Sequence, residues 1–346
     1  MSSKKRPVTL ITFDVDCTLL QGSVHASTVS VHSIAFNYAV GKVFSPPPAP
    51  DDSSGSSSSK PSLWSDEFTH PLTVIPSERY HGSTDGLIVC NIAKTAFGVE
   101  QAEALAKLDL VFEEMFQYVA AREDKEVGAS VEALPGVLEK LRQLARRTGD
   151  IKCGLVTGNV EGIARKKMRA TGITQTRALA PRAASQKSKV WPGMDAEEDC
   201  FLGGFGTDFC SGDTEDQSRM YIDRGEQILI CVQRCISTLQ ADEHLVRIVH
   251  VGDAPADARA AKWCAVHGLE RVLGPQWASR INAERIDMKF VGVGTGKFAV
   301  AELVEAAGDA IAGKFEVVVL EKGIADPDFI SHCDGTASTA NGSVSK

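Results

Sequence analysis

The stretch Val8-Thr-Leu-Ile-Thr-Phe-Asp-Val-Asp16 decides the fold, because an apolar run typical of a buried β-strand ends there in two aspartates. Side chains of a strand point alternately to its two faces, so Asp14 and Asp16 are expected to point to the same side. Two neighbouring carboxylates repel each other unless a cation or a shared proton lies between them. The stretch therefore predicts a core strand whose end carries a functional site.

Two later segments repeat this arrangement of an apolar run followed by polar residues. They are Val156-Thr-Gly-Asn159 and Val251-Gly-Asp-Ala-Pro-Ala-Asp257. Apolar strands that alternate with helical patterns predict an α/β fold, a doubly wound parallel sheet. Ligands bind at the carboxyl ends of the strands in such sheets, so we expect all three segments to meet at one edge.

A long helical insertion separates the first two strands. We predict a catalytic core from residues 1–21 and 130–330, an α-helical cap domain from 22–129, and a flexible tail over 331–346. The Ser- and Pro-rich segment at about 45–62 has little apolar surface to bury and is predicted to be disordered.

Composition excludes several classes of function. A net charge of −8 argues against a nucleic-acid or anionic-membrane surface. The apolar runs are too short to cross a bilayer, and the N-terminus leaves no room for a signal-peptide hydrophobic region. Most of the nine cysteines lie in apolar patterns and lack the paired spacing of a zinc site. These features indicate a cytoplasmic protein.

The polar residues at the strand ends suit phosphoryl transfer. Carboxylates that converge on one point favour a hard cation such as Mg²⁺. Thr157 offers a hydroxyl, and the backbone N–H groups of Gly158 and Asn159 lie at a predicted helix N-terminus, which favours phosphate oxygens. A nucleophilic carboxylate, a cation and an oxyanion cradle together make a phosphoryl-transfer site.

In these segments the chain resembles the haloacid dehalogenase superfamily, specifically its phosphoglycolate-phosphatase-like members with a small helical cap. Phe13-Asp-Val-Asp-Cys-Thr-Leu-Leu20 is similar to the first family motif, Gly154–Asn159 to the second and Val251–Asp257 to the fourth. The resemblance covers nearly the whole chain and implies a Rossmann-like core with an inserted cap.

The resemblance also implies a role for each matching residue. Asp14 would be the nucleophile that becomes an aspartyl phosphate, and Asp16 the acid–base group. Thr157 would hold the transferred phosphoryl group. Asp253 would bind Mg²⁺ beside the Asp14 carboxylate and the Asp16 backbone carbonyl, with Asp257 in an outer or water-mediated role.

The basic residue of the family is assigned to Arg219, because it opens the helix that precedes the fourth motif. Lys187, Lys189 and Arg165 remain alternatives. Cys17 stands where the family usually has glycine and must tolerate the turn after the first strand, which leaves backbone strain there open.

Substrate contacts are expected on both sides of the site. Gly158 and Asn159 would contribute from the core. The resemblance places His81, Ser83, Thr84 and Asp85 nearest the substrate in the cap; the alternative is that they form a polar turn before a helix.

We therefore expect a Mg²⁺-dependent phosphatase that acts on a small phosphorylated metabolite, as a monomer or homodimer. A phosphomutase, a 2-haloacid dehalogenase and a non-catalytic binding protein on the same fold are the alternatives. Asp16 argues against the dehalogenase, which needs only the first carboxylate, and no aspartate has been lost as in a non-catalytic relative.

Overall fold

A computed structural model describes residues 6–22, 30–44, 82–147, 150–173, 202–274 and 287–334. The predicted disordered insert at about 45–62 lies outside the described residues. So do His81, Lys187 and Lys189, and the tail beyond Asp334.

A six-stranded parallel sheet forms the centre of the described structure, in the order β5-β4-β1-β6-β7-β8. Helices lie on both of its faces, which confirms the predicted doubly wound α/β class. The strands of the sheet are β1 (Arg6–Phe13), β4 (Ile151–Thr157), β5 (Leu202–Phe205), β6 (Glu243–Gly252), β7 (Asp287–Val293) and β8 (Phe315–Leu320).

Strand β1 lies inside the sheet because both of its faces are apolar. Leu10, Ile11 and Phe13 are fully buried. Ile11 and Phe13 pack in the cluster on one face, while Leu10 packs in the cluster on the other, as the alternation of strand side chains requires. The first strand is thereby held on both sides, and its polar end is fixed at the carboxyl edge of the sheet.

The helices fall into a core set and a set inserted after β1. The inserted set is α1 (Val31–Phe44), α2 (Asp85–Phe97), α3 (Gln101–Ala106), α4 (Leu108–Ala120) and α5 (Asp124–Ala129). The core set is α6 (Val137–Ala145), α7 (Glu161–Ala170), α8 (Arg219–Ser237), α9 (Pro255–Trp263), α10 (Leu269–Leu273), α11 (Val300–Ala307) and α12 (Phe329–Asp334).

A short antiparallel ribbon joins the two sets. Strands β2 (Leu20–Gly22) and β3 (Val131–Ala133) pair with each other, so the chain leaves the core and returns to it at one place. The inserted helices share a buried cluster to which Val160 and Ile163, at the start of α7, also belong. The helical insertion, which we call the cap, is thus packed against the core next to the second polar segment.

Two strands of the main sheet, the two ribbon strands β2 and β3, and one boundary differ from the sequence-based expectation. Strands β5 and β8 were not predicted, since Leu202-Gly-Gly-Phe205 is short and glycine-rich and gives no period-two pattern. Helix α12 continues to Asp334 and buries Cys333, so the packed core extends into the predicted tail. Among the described helices, none combines the length and the apolar character needed to span a membrane.

Candidate active site

Asp14 and Asp16 follow β1 at the carboxyl edge of the sheet, and both line one cavity of about 330 Å³. The core also contributes Thr157 after β4 and Asp253 after β6 to its walls. Three consecutive neighbours in the sheet, β4, β1 and β6, therefore bring their polar ends together, as the sequence predicted. The cap supplies the opposite wall.

Asp14 is held by a buried arginine on α8. The Arg224 Nη1 group donates to Asp14 Oδ1 at 2.7 Å and to the Val156 carbonyl at 2.9 Å. Both side chains of the ion pair are less than a tenth exposed, 3% for Arg224 and 8% for Asp14. A guanidinium that bonds both a carboxylate and a strand carbonyl fixes the position of the carboxylate and compensates its charge.

Three carboxylates lie close enough to share a cation. Single oxygens of Asp14, Asp253 and Asp257 all lie within 4.8 Å of one another. Asp253 also accepts a hydrogen bond from the Thr18 hydroxyl at 3.1 Å, and Asp257 accepts one from the Ala254 N–H at 3.1 Å. Hard oxygen donors in this number fit Mg²⁺, which is usually bound by a few carboxylates plus water.

Asp257 lies deeper than the other two carboxylates, and its outer or water-mediated role stays a prediction. Its carboxylate is fully buried, is absent from the cavity wall, and lies 3.6 Å from Arg224 Nε and 3.5 Å from His250 Nε2. Asp14 and Asp253 face the cavity and would hold the ion directly.

The pKa values of the cluster show uncompensated negative charge. Burial, together with Asp257 and Asp16, raises the pKa of Asp14 to about 7, although Arg224 acts in the opposite direction. Burial and the charge of Asp14 raise the pKa of Asp253 well above its usual value. Burial acts on Asp257 in the same direction, but Arg224 and His250 outweigh it and lower its pKa. Two of the three carboxylates thus resist ionisation until a cation is bound.

Asp16 has a different cation, Lys167 on α7. The Lys167 ammonium donates to both carboxylate oxygens of Asp16, at 2.7 and 2.9 Å, and to Asn159 Oδ1 at 2.9 Å. Burial raises the pKa of Asp16, but Lys167 and the nearby His32 outweigh it, so the pKa lies below its usual value. The Asp16 side chain remains 44% exposed, towards the cavity that it lines.

The segment after β4 lines the cavity beside Asp14. Thr157 is buried, lines the cavity, and accepts a hydrogen bond from the Asn159 N–H at 3.3 Å. Helix α7 begins at Glu161, so this segment leads into a helix N-terminus as predicted. Thr157 and Asn159 are thus placed to contact a bound phosphate.

Thr84 and Gly158 join the cap to the core instead of lining the cavity. Thr84 is fully buried and its hydroxyl caps α2 by accepting from the Leu87 N–H at 3.4 Å. A Cβ on Gly158 would lie only 2.6 Å from the Thr84 Cα atom, so this close approach requires glycine. The expected substrate contact is therefore not what the structure shows for these two residues.

Asp85 both joins the cap to the core and lines the cavity. Its N–H donates to the Gly158 carbonyl at 2.8 Å, and its carboxylate accepts from the Val160 N–H at 2.8 Å. The same carboxylate lies 3.0 Å from Nε2 of His32, and Asp85 and His32 both line the cavity. Asp85 ties α1 and α2 of the cap to the core at the cavity wall.

The structure does not bring Arg219 to the cavity. Arg219 lies at the first residue of α8, 3.8 Å from Asp216, and is not part of the cavity wall. Five residues correspond to about 140° around a helix, so Arg219 and Arg224 lie on different faces. The alternative Arg165 pairs with Glu161 at 2.8 Å and is likewise absent from the wall. Arg224, and not Arg219, makes the contact with Asp14 that was expected of the basic residue.

The sequence did contain a signal for Arg224 and Lys167, the two basic residues that the sequence analysis did not identify. Arg224 precedes Ile228 and Val232 at spacings of four, within the buried stripe of α8. Lys167 follows Ile163 at the same spacing on α7. A basic residue in an apolar stripe is expected to be buried and paired, and here it is paired at the site.

Cys17 adopts a left-handed backbone conformation at the turn after β1. Cys17 has a φ of 61°, and it is the one non-glycine residue with positive φ in the described ranges. Its carbonyl accepts from the Thr295 hydroxyl at 2.7 Å, which holds the turn. Such a conformation costs about 1–2 kcal/mol in a non-glycine residue and persists where surrounding contacts enforce it.

Neither a family model nor a curated protein matches the chain. Among solved structures, a hydrolase from Pseudomonas syringae matches at 17% identity and a TM-score of 0.42, over 95% of this chain and 100% of that one. CbbY from Rhodobacter sphaeroides, solved in complex with phosphate, matches at 14% identity and a TM-score of 0.39, over 92% and 96%. At these identities and TM-scores the matches are reported as likenesses of fold alone.

Proposed function

We propose that this protein is a Mg²⁺-dependent phosphatase that hydrolyses a small phosphorylated metabolite through an aspartyl phosphate on Asp14. The observation that carries the proposal is the pairing of each strand-end aspartate with its own cation on one cavity. Arg224 holds Asp14, and Lys167 holds Asp16. These contacts support the roles proposed here, Asp14 as a fixed nucleophile and Asp16 as a more exposed acid–base group beside it.

The first step uses both aspartates. An Asp14 carboxylate oxygen attacks phosphorus, the bond from phosphorus to the ester oxygen breaks, and that oxygen takes a proton from Asp16. Thr157 and the backbone after it hold the phosphoryl oxygens. Asp14 and Asp253 would bind Mg²⁺, which supplies positive charge where negative charge accumulates.

The second step returns the enzyme to its starting state. A water oxygen attacks phosphorus, Asp16 takes the proton of that water, and the bond from phosphorus to Asp14 breaks, with its electron pair returning to the Asp14 carboxylate. The products are the alcohol from the first step and inorganic phosphate.

The cavity limits the substrate. About 330 Å³ accommodates a small metabolite, and its cap wall includes the polar residues Ser30, His32, Ser33 and Asp85 beside the apolar Phe36 and Ile88. This lining supports a compact polar leaving group. A phosphomutase would use the same aspartates, and it differs in that phosphate appears on another position of the same molecule.

The test is a panel of small phosphate esters assayed with Mg²⁺ and again with EDTA, with release of inorganic phosphate as the readout. We expect hydrolysis that requires Mg²⁺, and none by Asp14→Asn purified in the same way, which controls for contaminating phosphatases. Full activity in EDTA would overturn the metal assignment. Chloride release from 2-chloropropionate without ester hydrolysis would replace the phosphatase with a dehalogenase.

A further inference from the structure

Lys167 directs its whole ammonium group at the acid–base side of the site. An ammonium has three N–H donors, and the described acceptors number three: the two carboxylate oxygens of Asp16 and Oδ1 of Asn159. The Lys167 side chain is only 5% exposed, whereas that of Asp16 is 44% exposed, and both residues line the cavity. Lys167 therefore orients Asp16 from the cavity wall, with its three N–H donors already bonded to protein acceptors.

This contact fixes the orientation of the Asp16 carboxylate. Each of its two oxygens accepts a hydrogen bond from the ammonium, so rotation of the carboxylate would break both bonds. Each ionised carboxylate oxygen has two acceptor sites, so acceptor capacity remains for a water molecule in the cavity. The contact thus favours Asp16 as an oriented base.

The two steps of the proposed reaction need Asp16 in different states. The first step consumes a proton from Asp16 and leaves it as a carboxylate, and the second step needs that carboxylate to take a proton from water. Lys167 holds the Asp16 carboxylate in a fixed position beside the cavity, which the second step needs for proton transfer from water.

Building on the proposed function, we propose that Lys167 is a positioning residue for hydrolysis of the phosphoenzyme. It holds the Asp16 carboxylate oriented towards the cavity, from where the attacking water comes. Without it, Asp14 would still be phosphorylated, since Arg224 holds the nucleophile independently. The water step would slow because its base is no longer oriented.

The chain provides a matched control in the adjacent Lys166. Lys166 is also buried on α7, but its ammonium binds the carbonyls of Ala120 and Arg122, at 3.2 and 2.5 Å, and lies 3.5 Å from Asp124. These partners belong to the α4–α5 part of the cap, outside the cavity wall. Lys166→Met removes the same charge from the same helix without touching Asp16.

The experiment follows nitrophenolate release from 4-nitrophenyl phosphate by stopped flow, with Mg²⁺ present. Nitrophenolate leaves without protonation, so the first step does not need Asp16 as an acid. For Lys167→Met we expect a burst of about one equivalent per enzyme, followed by turnover at least roughly tenfold slower than wild type, a share of the ~10²–10⁴ of positioned acid–base catalysis. Acid quench during the slow phase should recover phosphoenzyme. Lys166→Met should behave as wild type, and Lys167→Arg should restore part of the rate.

The possible outcomes separate the role of Lys167 from the phosphatase proposal. Unchanged turnover in Lys167→Met, or slow turnover with neither burst nor phosphoenzyme, would overturn the role of Lys167 while leaving the phosphatase proposal in place. A wild type that does not hydrolyse the ester would overturn the phosphatase proposal itself. If the methionine variant does not fold, Lys167→Gln, which keeps an N–H donor but removes the charge, gives the same two results to compare.

Discussion

The two ion pairs of the site differ in how far they are withdrawn from water. Asp14 and Arg224 are both buried, and Arg224 is further fixed by the Val156 carbonyl. Lys167 is equally buried, but its partner Asp16 has 44% of its side chain exposed. A buried pair holds a nucleophile still and desolvated, whereas a carboxylate open to the cavity can exchange protons with substrate and water. The contrast supports the proposal that Asp14 does the covalent chemistry and Asp16 the proton transfer.

The largest effect is expected for Asp14→Asn. This variant loses the nucleophile and should lose turnover almost completely, and it also removes one charge from a mutually repulsive cluster. In the metal-free protein its thermal midpoint should therefore be equal to or above that of wild type. Turnover is measured by phosphate release and stability by thermal denaturation in EDTA; normal turnover would refute Asp14 as the nucleophile.

Arg224→Met and Lys167→Met should separate the two pairs by stability. Removing Arg224 leaves a buried carboxylate uncompensated, which costs about 3–5 kcal/mol in comparable pairs. Removing Lys167 leaves Asp16 facing solvent, so the free energy of unfolding should fall much less. Urea denaturation of both variants gives the comparison, and adding Asp14→Asn to Arg224→Met should recover part of the loss. An equal loss of unfolding free energy in Lys167→Met and Arg224→Met would contradict the difference in burial between the two pairs.

The effect of Asp16→Asn on turnover should depend on the leaving group of the ester. An alkyl phosphate needs a proton on the departing oxygen, so its turnover should fall by roughly a hundredfold or more. The loss in the first step should be smaller for nitrophenyl phosphate, which leaves as a stable anion. Single-turnover rates with both esters provide the measurement. Alkyl ester hydrolysis at the wild-type rate would remove Asp16 from the reaction.

The smallest expected effect is a pH dependence of stability in the metal-free protein. The pKa of Asp14 is raised to about 7 in the folded state, whereas an unfolded aspartate titrates near 4. Its contribution to stability is therefore fully present below about pH 4 and is lost as the pH rises through about 7. The thermal midpoint of wild type in EDTA should decline over this range relative to Asp14→Asn. Mg²⁺ should restore it at the upper end; parallel profiles for the two proteins would contradict the raised pKa.

The sequence predicted the positions of the strand-end aspartates better than those of the charged residues on the helices. Asp14, Asp16 and Asp253 could be placed because parallel strands end at one edge, a rule that needs no tertiary detail. Arg224 and Lys167 reach the same edge from α8 and α7, and their arrival depends on the rotation and packing of each helix. Arg219 was assigned because it opens the helix. Arg224, five residues later, lies on a different face of that helix and reaches the site.

The cap shows the same limit. Polar residues before α2 were expected to meet the substrate, and Asp85 does line the cavity. Thr84 instead caps the helix and packs on Gly158, a contact between residues far apart in sequence. Local patterns identify a polar turn, but the side that it turns towards is set by the packing of cap on core.

The most direct test of the account is to identify the residue that carries the phosphoryl group during turnover. Wild type and Asp16→Asn are mixed with 4-nitrophenyl phosphate and Mg²⁺, quenched rapidly in acid, digested at low pH and examined by peptide mass spectrometry. We expect one phosphoryl group on the peptide that contains Asp14, more of it in Asp16→Asn, and none in Asp14→Asn. Active turnover with no phosphoryl group on Asp14, or with the group on another residue, would contradict the account.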